Sequence, residues 1–177
     1  MRGLPNLITI GRLALVPLVI ALIADGRWGW AFAAFLSAGV SDAIDGFLAR
    51  RFDARSELGA YLDPIADKAL LMSVFVTLGV VNVIASSLAI LVVSRDLMIL
   101  GAVVVAWLLD KRMEIKPHLV SKLNTTAQIA FCAAVLGMRA LGRHFGAVET
   151  AAAYGVAALT LASAAVYLAL WLRHMAE

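Results

Sequence analysis

Apolar residues run almost unbroken through six stretches of this chain, about Leu4 to Ile23, Trp28 to Leu48, Leu58 to Val81, Ile84 to Leu109, Leu123 to Leu141 and Val148 to Leu172. Each is near the roughly 20 residues that a helix needs to cross the hydrocarbon core of a bilayer. The pattern predicts six membrane-spanning helices. The first stretch is read as one of them and not as a cleavable signal, because Arg12 interrupts it and no small-residue cleavage site follows. Short connections predict that sequential helices are antiparallel neighbours. A charged hairpin is expected from Arg50 to Leu58, and the longest polar connection, Asp110 to Lys122, holds Pro117, which stops a helix from running through.

Composition strengthens this picture. Of 177 residues, 63% are hydrophobic and 15% charged, and the mean hydropathy is +0.92, whereas a soluble domain is about 45 to 50% apolar and about 25% charged. The expected class is an all-α integral membrane protein, a six-transmembrane-helix bundle. With no long linker, low-complexity tract or repeat, residues 1–177 read as a single domain. The lone cysteine, Cys132, excludes an intrachain disulfide and reads as a small core residue.

Charge adds orientation, which follows Lys and Arg in short loops. With the N-terminus inside, Arg2, Arg50, Arg51, Arg55, Lys111, Arg112, Lys116, Lys122 and Arg173 fall on the cytoplasmic side, against Arg27, Arg139 and Arg143 outside. A multi-pass protein of a bacterial inner membrane is expected, with both termini and the Asp-rich loop in the cytoplasm. Small residues crowd AAAYGVAALTLASAA at 151–165, a face suited to close helix packing within the bundle or between the protomers of a homodimer.

The exception to the apolar pattern lies at residues 42–67, where Asp42, Asp45, Asp63 and Asp67 sit within otherwise apolar segments. An aspartate at the centre of a membrane helix costs roughly 2.5 to 3.5 kcal/mol, so four unpaired ones would cost about 10 to 14 kcal/mol. Something positive must neutralise them. On a helix, Asp42, Asp45, Gly46 and Ala49 share one face at i, i+3, i+4 and i+7, and Gly59, Asp63 and Asp67 give the next helix a matching one. Hard oxygen ligands without Cys or His suit Mg²⁺ or Mn²⁺, in number enough for two ions. The small residues beside them leave room for a large ligand, and metal-bridged carboxylates at an open groove suggest phosphoryl chemistry. Two other readings stand beside it: ion pairs of these aspartates with Arg50, Lys68 or Arg95 that only fix helix packing, and an intramembrane relay of a proton or cation transporter.

The complete pattern D-x2-D-G-x2-A-R-x8-G-x3-D-x3-D, written as Asp42, Asp45, Gly46, Ala49, Arg50, Gly59, Asp63 and Asp67, resembles the signature of the CDP-alcohol phosphotransferase family in every fixed position and spacing. That resemblance extends over nearly the whole chain. It implies a metal-dependent transfer of a substituted phosphate from a CDP-linked lipid to an alcohol, with release of CMP. Carried over, Asp42, Asp45 and Asp63 would bind the two ions. Asp67 would approach a metal and act as the base for the incoming hydroxyl. Gly46, Ala49, Arg50 and Gly59 would line the CDP site, so that the bundle would hold a polar metal and nucleotide cavity open to the cytoplasmic side.

Further polar positions bear on the acceptor. Asn6, Thr9 and Arg12 in PNLITIGRL resemble an N-terminal motif of members that make anionic phospholipids; capping by Asn6 and Thr9 and a snorkelling Arg12 would explain them equally. Arg95 is an intramembrane cation for an acceptor phosphate or for pairing with Asp96 or a cluster aspartate, and Ser121 and Lys122 are expected to open the fifth helix as a phosphate site. Phosphatidylglycerophosphate synthases resemble K-x-K-T here. This chain has Lys122, Leu123, Asn124 and Thr125, and S-K-x-N-T preceded by K-P is similar to cardiolipin synthases of the CDP-alcohol type. Asparagine in place of lysine lowers the positive charge, as suits phosphatidylglycerol, a diester with one charge, better than the monoester of glycerol 3-phosphate. The expected substrates are therefore CDP-diacylglycerol and phosphatidylglycerol, with glycerol 3-phosphate as the alternative acceptor.

Overall fold

A computed structural model describes residues 4–52, 57–108, 119–144 and 146–176; within these helices the side chains of 4–10, 12, 13, 42–52, 57–67, 103, 104, 106–108 and 174–176 lie outside the description. The described chain is all helical: α1 Leu4–Ala24, α2 Trp28–Phe52, α3 Glu57–Val80, α4 Ser86–Leu108, α5 Leu119–Ala140 and α6 Ala147–Ala176. Each coincides with one of the apolar stretches. Among the described residues, α5 and the Ala147–Arg173 part of α6 are long and apolar enough by themselves to cross a membrane, and shorter apolar helical runs occupy Ala14–Ala24 and Lys68–Val80.

Two expectations about connections are corrected. Helix α2 continues through Arg50 and Arg51 to Phe52 and α3 begins at Glu57, so the hairpin is shorter than Arg50 to Leu58. Arginine is a good helix former, and no Gly or Pro lies between Gly46 and Phe52 to end the helix. Nor, among the described residues, do all sequential helices pack as neighbours. Among the described residues α1 packs on α2 and α3, α3 on α4, α2 on α5, and α6 on both α5 and α4, with α3 touching α5 across the centre. The helices thus form a closed ring in the order α1, α2, α5, α6, α4, α3. In this order α1 stands between α2 and α3, and α6 between α4 and α5.

Small residues let the helices of this ring approach closely. A Cβ on Gly79 would stand 3.1 Å from the Ala89 Cβ, and one on Gly137 would stand 3.3 Å from the Phe32 ring; these glycines let α3 meet α4 and α2 meet α5. Phe75 of α3 and Phe131 of α5 stack at the centre, with ring centroids 6.1 Å apart. Cys132 is buried in the same core. The tight α3–α4 turn places Asn82 at φ 57°, a left-handed conformation that asparagine tolerates better than most residues.

The distribution of polarity is inverted relative to a soluble protein. Leu18, Trp30, Val40, Val80, Ile90, Leu100, Leu123 and Leu161 face outward, whereas Arg95, Asp96, Asn124, Gln128, Thr160 and Ser163 are buried. On α6 the small residues divide: Thr160 and Ser163 point inward, and Ala151, Gly155, Ala158, Ala162 and Ala165 lie on the exposed surface.

Candidate functional site

Buried polar side chains meet where α3, α4, α5 and α6 converge. Helix α4 supplies Arg95 and Asp96, whose side chains are 2% and 4% exposed. Arg95 Nη1 donates to Asp96 Oδ1. The same carboxylate oxygen receives Lys68 Nζ of α3 at 2.9 Å. Arg95 Nη2 donates to Ser121 Oγ of α5 at 2.8 Å and to Ser163 Oγ of α6. The guanidinium carbon lies 5.6 Å from the ring centre of Tyr167, within the range of a cation–π contact.

One carboxylate thus stands between two cations, so the Lys68, Asp96 and Arg95 group carries one net positive charge, with Arg95 and Asp96 buried and the Lys68 side chain 43% exposed. Arg95 also keeps a buried donor in reserve, because its Nε has no hydrogen-bond partner. Buried charge in a bundle of this kind is costly unless paired or used, and an unmatched donor beside a net cation fits an anionic ligand. Lys68 directly follows Asp67, so the junction adjoins the end of the aspartate pattern along α3.

One turn further along the seam between α5 and α6, a second set of buried groups continues the polar track. Thr160 Oγ1 donates to Asn124 Oδ1 at 2.9 Å, and Gln128 Nε2 donates to Thr160 Oγ1 at 3.2 Å. All three residues are essentially inaccessible, and the Asn124 Nδ2 has no partner.

The expected acceptor residues separate on this geometry. Arg95, Ser121 and Asn124 come together in the seam. Thr125 is half-buried and Lys122 exposed on α5, which begins at Leu119, ahead of the expected start at Ser121. Of the alternatives for Arg95, pairing with Asp96 is realised, and the serine hydroxyls hold its other arm. Asp42, Asp45, Gly46, Ala49 and Arg50 lie on α2, and Gly59, Asp63 and Asp67 on α3; their side chains, like those of Asn6, Thr9 and Arg12 on α1, lie outside the described residues. Among the described residues no three Asp, Glu, His or Cys side chains form a cluster.

Four contributors to the site were not singled out by sequence: Ser163, Thr160, Gln128 and Tyr167. A signal existed, since Ser163 follows Thr160 by three positions and Gln128 follows Asn124 by four, each pair on one helix face.

At the other end of the bundle, Arg139 closes a different set of contacts. Its Nη2 donates to Glu149 at 3.1 Å and to the Val83 carbonyl at 3.5 Å, and its Nη1 lies 3.1 Å from His144 Nε2. A cavity of about 500 Å³ lined by Leu88, Phe131, Glu149 and Tyr154 opens beside them.

The CDP-alcohol phosphatidyltransferase family model matches residues 2–172. The chain is 34% identical to a chloroplastic CDP-diacylglycerol–glycerol-3-phosphate 3-phosphatidyltransferase of Oryza sativa subsp. japonica, with 93% of this chain and 56% of that protein covered. It is 34% identical to the cardiolipin synthase (CMP-forming) of Homo sapiens over 75% of this chain and 50% of the relative. A cardiolipin synthase (CMP-forming) / mitochondrial hydrolase fusion protein of Schizosaccharomyces pombe is 32% identical over 93% of this chain and 30% of its own length. The chain therefore spans 30 to 56% of the length of these curated relatives.

Proposed function

Because the chain belongs to the CDP-alcohol phosphatidyltransferase family, we propose that it transfers the phosphatidyl group of CDP-diacylglycerol to the terminal hydroxyl of phosphatidylglycerol, forming cardiolipin and releasing CMP. The hydroxyl oxygen attacks the β-phosphorus, the bond from that phosphorus to the CMP oxygen breaks, and the hydroxyl proton passes to the Asp67 carboxylate. Residues 1–177 act as one membrane domain of six spans, with both termini and the aspartates on the cytoplasmic side of a bacterial inner membrane.

The donor set of Asp42, Asp45, Asp63 and Asp67, all oxygen and without Cys or His nearby in the pattern, fits two Mg²⁺ or Mn²⁺ ions. Bound there, such ions would neutralise the pyrophosphate and the leaving CMP. Gly46, Ala49 and Gly59 leave room for the nucleotide and Arg50 contacts it. Aspartate is a weak base, so most of the acceleration comes from position and electrostatics.

The observation that carries the acceptor assignment is the net single positive charge of the Lys68–Asp96–Arg95 group, next to the neutral amide of Asn124. One positive charge matches the single charge of a phosphodiester. A second reading, glycerol 3-phosphate as acceptor, is favoured by the name of the rice relative and its coverage of 93% of this chain, and by the exposed Lys122, which is free to turn toward a soluble monoester. An acceptor panel separates them: purified protein, CDP-diacylglycerol and Mg²⁺ are supplied with either alcohol and CMP release is followed. Cardiolipin formed from phosphatidylglycerol is expected; consumption of glycerol 3-phosphate with phosphatidylglycerol untouched would overturn the assignment.

A further inference from the structure

The chain of hydrogen bonds from Gln128 through Thr160 to Asn124 has a direction. A threonine hydroxyl has one proton to give. Since Gln128 Nε2 donates to Thr160 Oγ1, that proton goes to Asn124 Oδ1. The carbonyl end of the Asn124 amide is thereby held, and its NH₂ end is left buried without a partner. Turning the amide over would set Nδ2 against Thr160 Oγ1 and leave the hydroxyl proton to find another acceptor. Asn124 lies three residues from Ser121, and Thr160 three residues from Ser163, and both serines hold Arg95. Residues so spaced stack on one helix face at about 1.5 Å rise per residue, so the unpaired Asn124 amide lies one turn along α5 from the serine that holds the Arg95 guanidinium, whose Nε is also unpaired among the described residues.

We propose that Gln128 and Thr160 are positioning residues that fix the Asn124 amide with its N–H donors presented alongside Arg95 Nε, so that the two together receive the singly charged phosphodiester of a lipid acceptor. Two unmatched buried donors are expensive to leave empty, at about 1 to 3 kcal/mol each. A diester has two unesterified oxygens that share one charge, enough for a neutral amide donor and one guanidinium N–H. Lysine at position 124 could not take part in this arrangement, because it has no acceptor atom for the Thr160 hydroxyl.

The inference rests on the acceptor reading above, and the experiment separates the two. Full-length protein in lipid vesicles is given CDP-diacylglycerol and Mg²⁺, and CMP release is measured against phosphatidylglycerol and against glycerol 3-phosphate for wild type, Thr160→Val, Thr160→Ser and Gln128→Met. Loss of orientation at Asn124 raises KM for phosphatidylglycerol about tenfold in Thr160→Val, with kcat within about twofold, and Thr160→Ser restores the wild-type value. Gln128→Met moves KM the same way by a smaller factor and decides the matter if Thr160→Val does not accumulate in the membrane. An unchanged KM in an active Thr160→Val protein, a fall in kcat alone, or failure of serine to rescue overturns the positioning role while leaving the transferase reading intact. Wild-type protein that releases no CMP with either acceptor removes the transferase reading itself.

Discussion

Two arginines of this bundle lead opposite lives. Arg139, 14% exposed at its side chain, has its terminal nitrogens matched by Glu149, His144 and the Val83 carbonyl, and one carboxylate answers one cation. Arg95 is almost fully buried, yet it shares its carboxylate with Lys68 and keeps Nε unpaired. A cation that is matched ties the α3–α4 turn to α5 and α6 and has nothing left to offer. A cation left partly unmatched in the interior, at the cost burial imposes, is equipped for a ligand. Location and pairing, more than residue type, separate the arginine that is fully matched from the one proposed to receive a ligand.

The largest expected effect comes from Asp63→Asn, which tests whether chemistry belongs to the Lys68 end of the bundle. CMP release should fall by about a thousandfold or more, because a metal-neutralising carboxylate is lost, and full activity would move the reaction elsewhere. Next is Arg95→Met, which should lower CMP release about a hundredfold, as loss of charge-assisted contacts to a phosphate would. If Arg139→Met lowered it equally, the contrast would collapse. Asn124→Lys sharpens the comparison within the seam by adding a second net charge there; the ratio of phosphatidylglycerol to glycerol 3-phosphate turnover should shift about tenfold toward the monoester. The smallest effect is that of Arg139→Met itself. Activity should stay within about twofold of wild type, and the melting temperature in detergent should drop by no more than about 4 °C, since a partly exposed ion pair contributes about 0.2 to 1 kcal/mol.

Helix positions were legible because apolar runs of membrane length have few alternatives: the expected Leu4 and Trp28 starts of α1 and α2 are the observed ones, and the other starts lie within a few residues. Helix ends were less so. The run of arginines at Arg50 and Arg51 reads as a loop by charge, although arginine continues a helix readily. The ring order was hidden, because it depends on which small residues let helices meet, as Gly79 and Gly137 do. In the site, Arg95, Ser121 and Asn124 were visible as polar residues amid apolar ones. Thr160 and Ser163 were not, because among the alanines of α6 a hydroxyl that serves an arginine looks like one more small packing residue.

The hydroxyl that Ser163 gives Arg95 comes from 68 residues downstream, and α4 finds its ring neighbour in α6. Until α6 has been synthesised and docked, the guanidinium lacks one of its two serine partners and the ring stands open. A chain truncated before α6 should therefore keep a cation with incomplete company, and a pulse-chase measurement should find it degraded faster than the 177-residue chain.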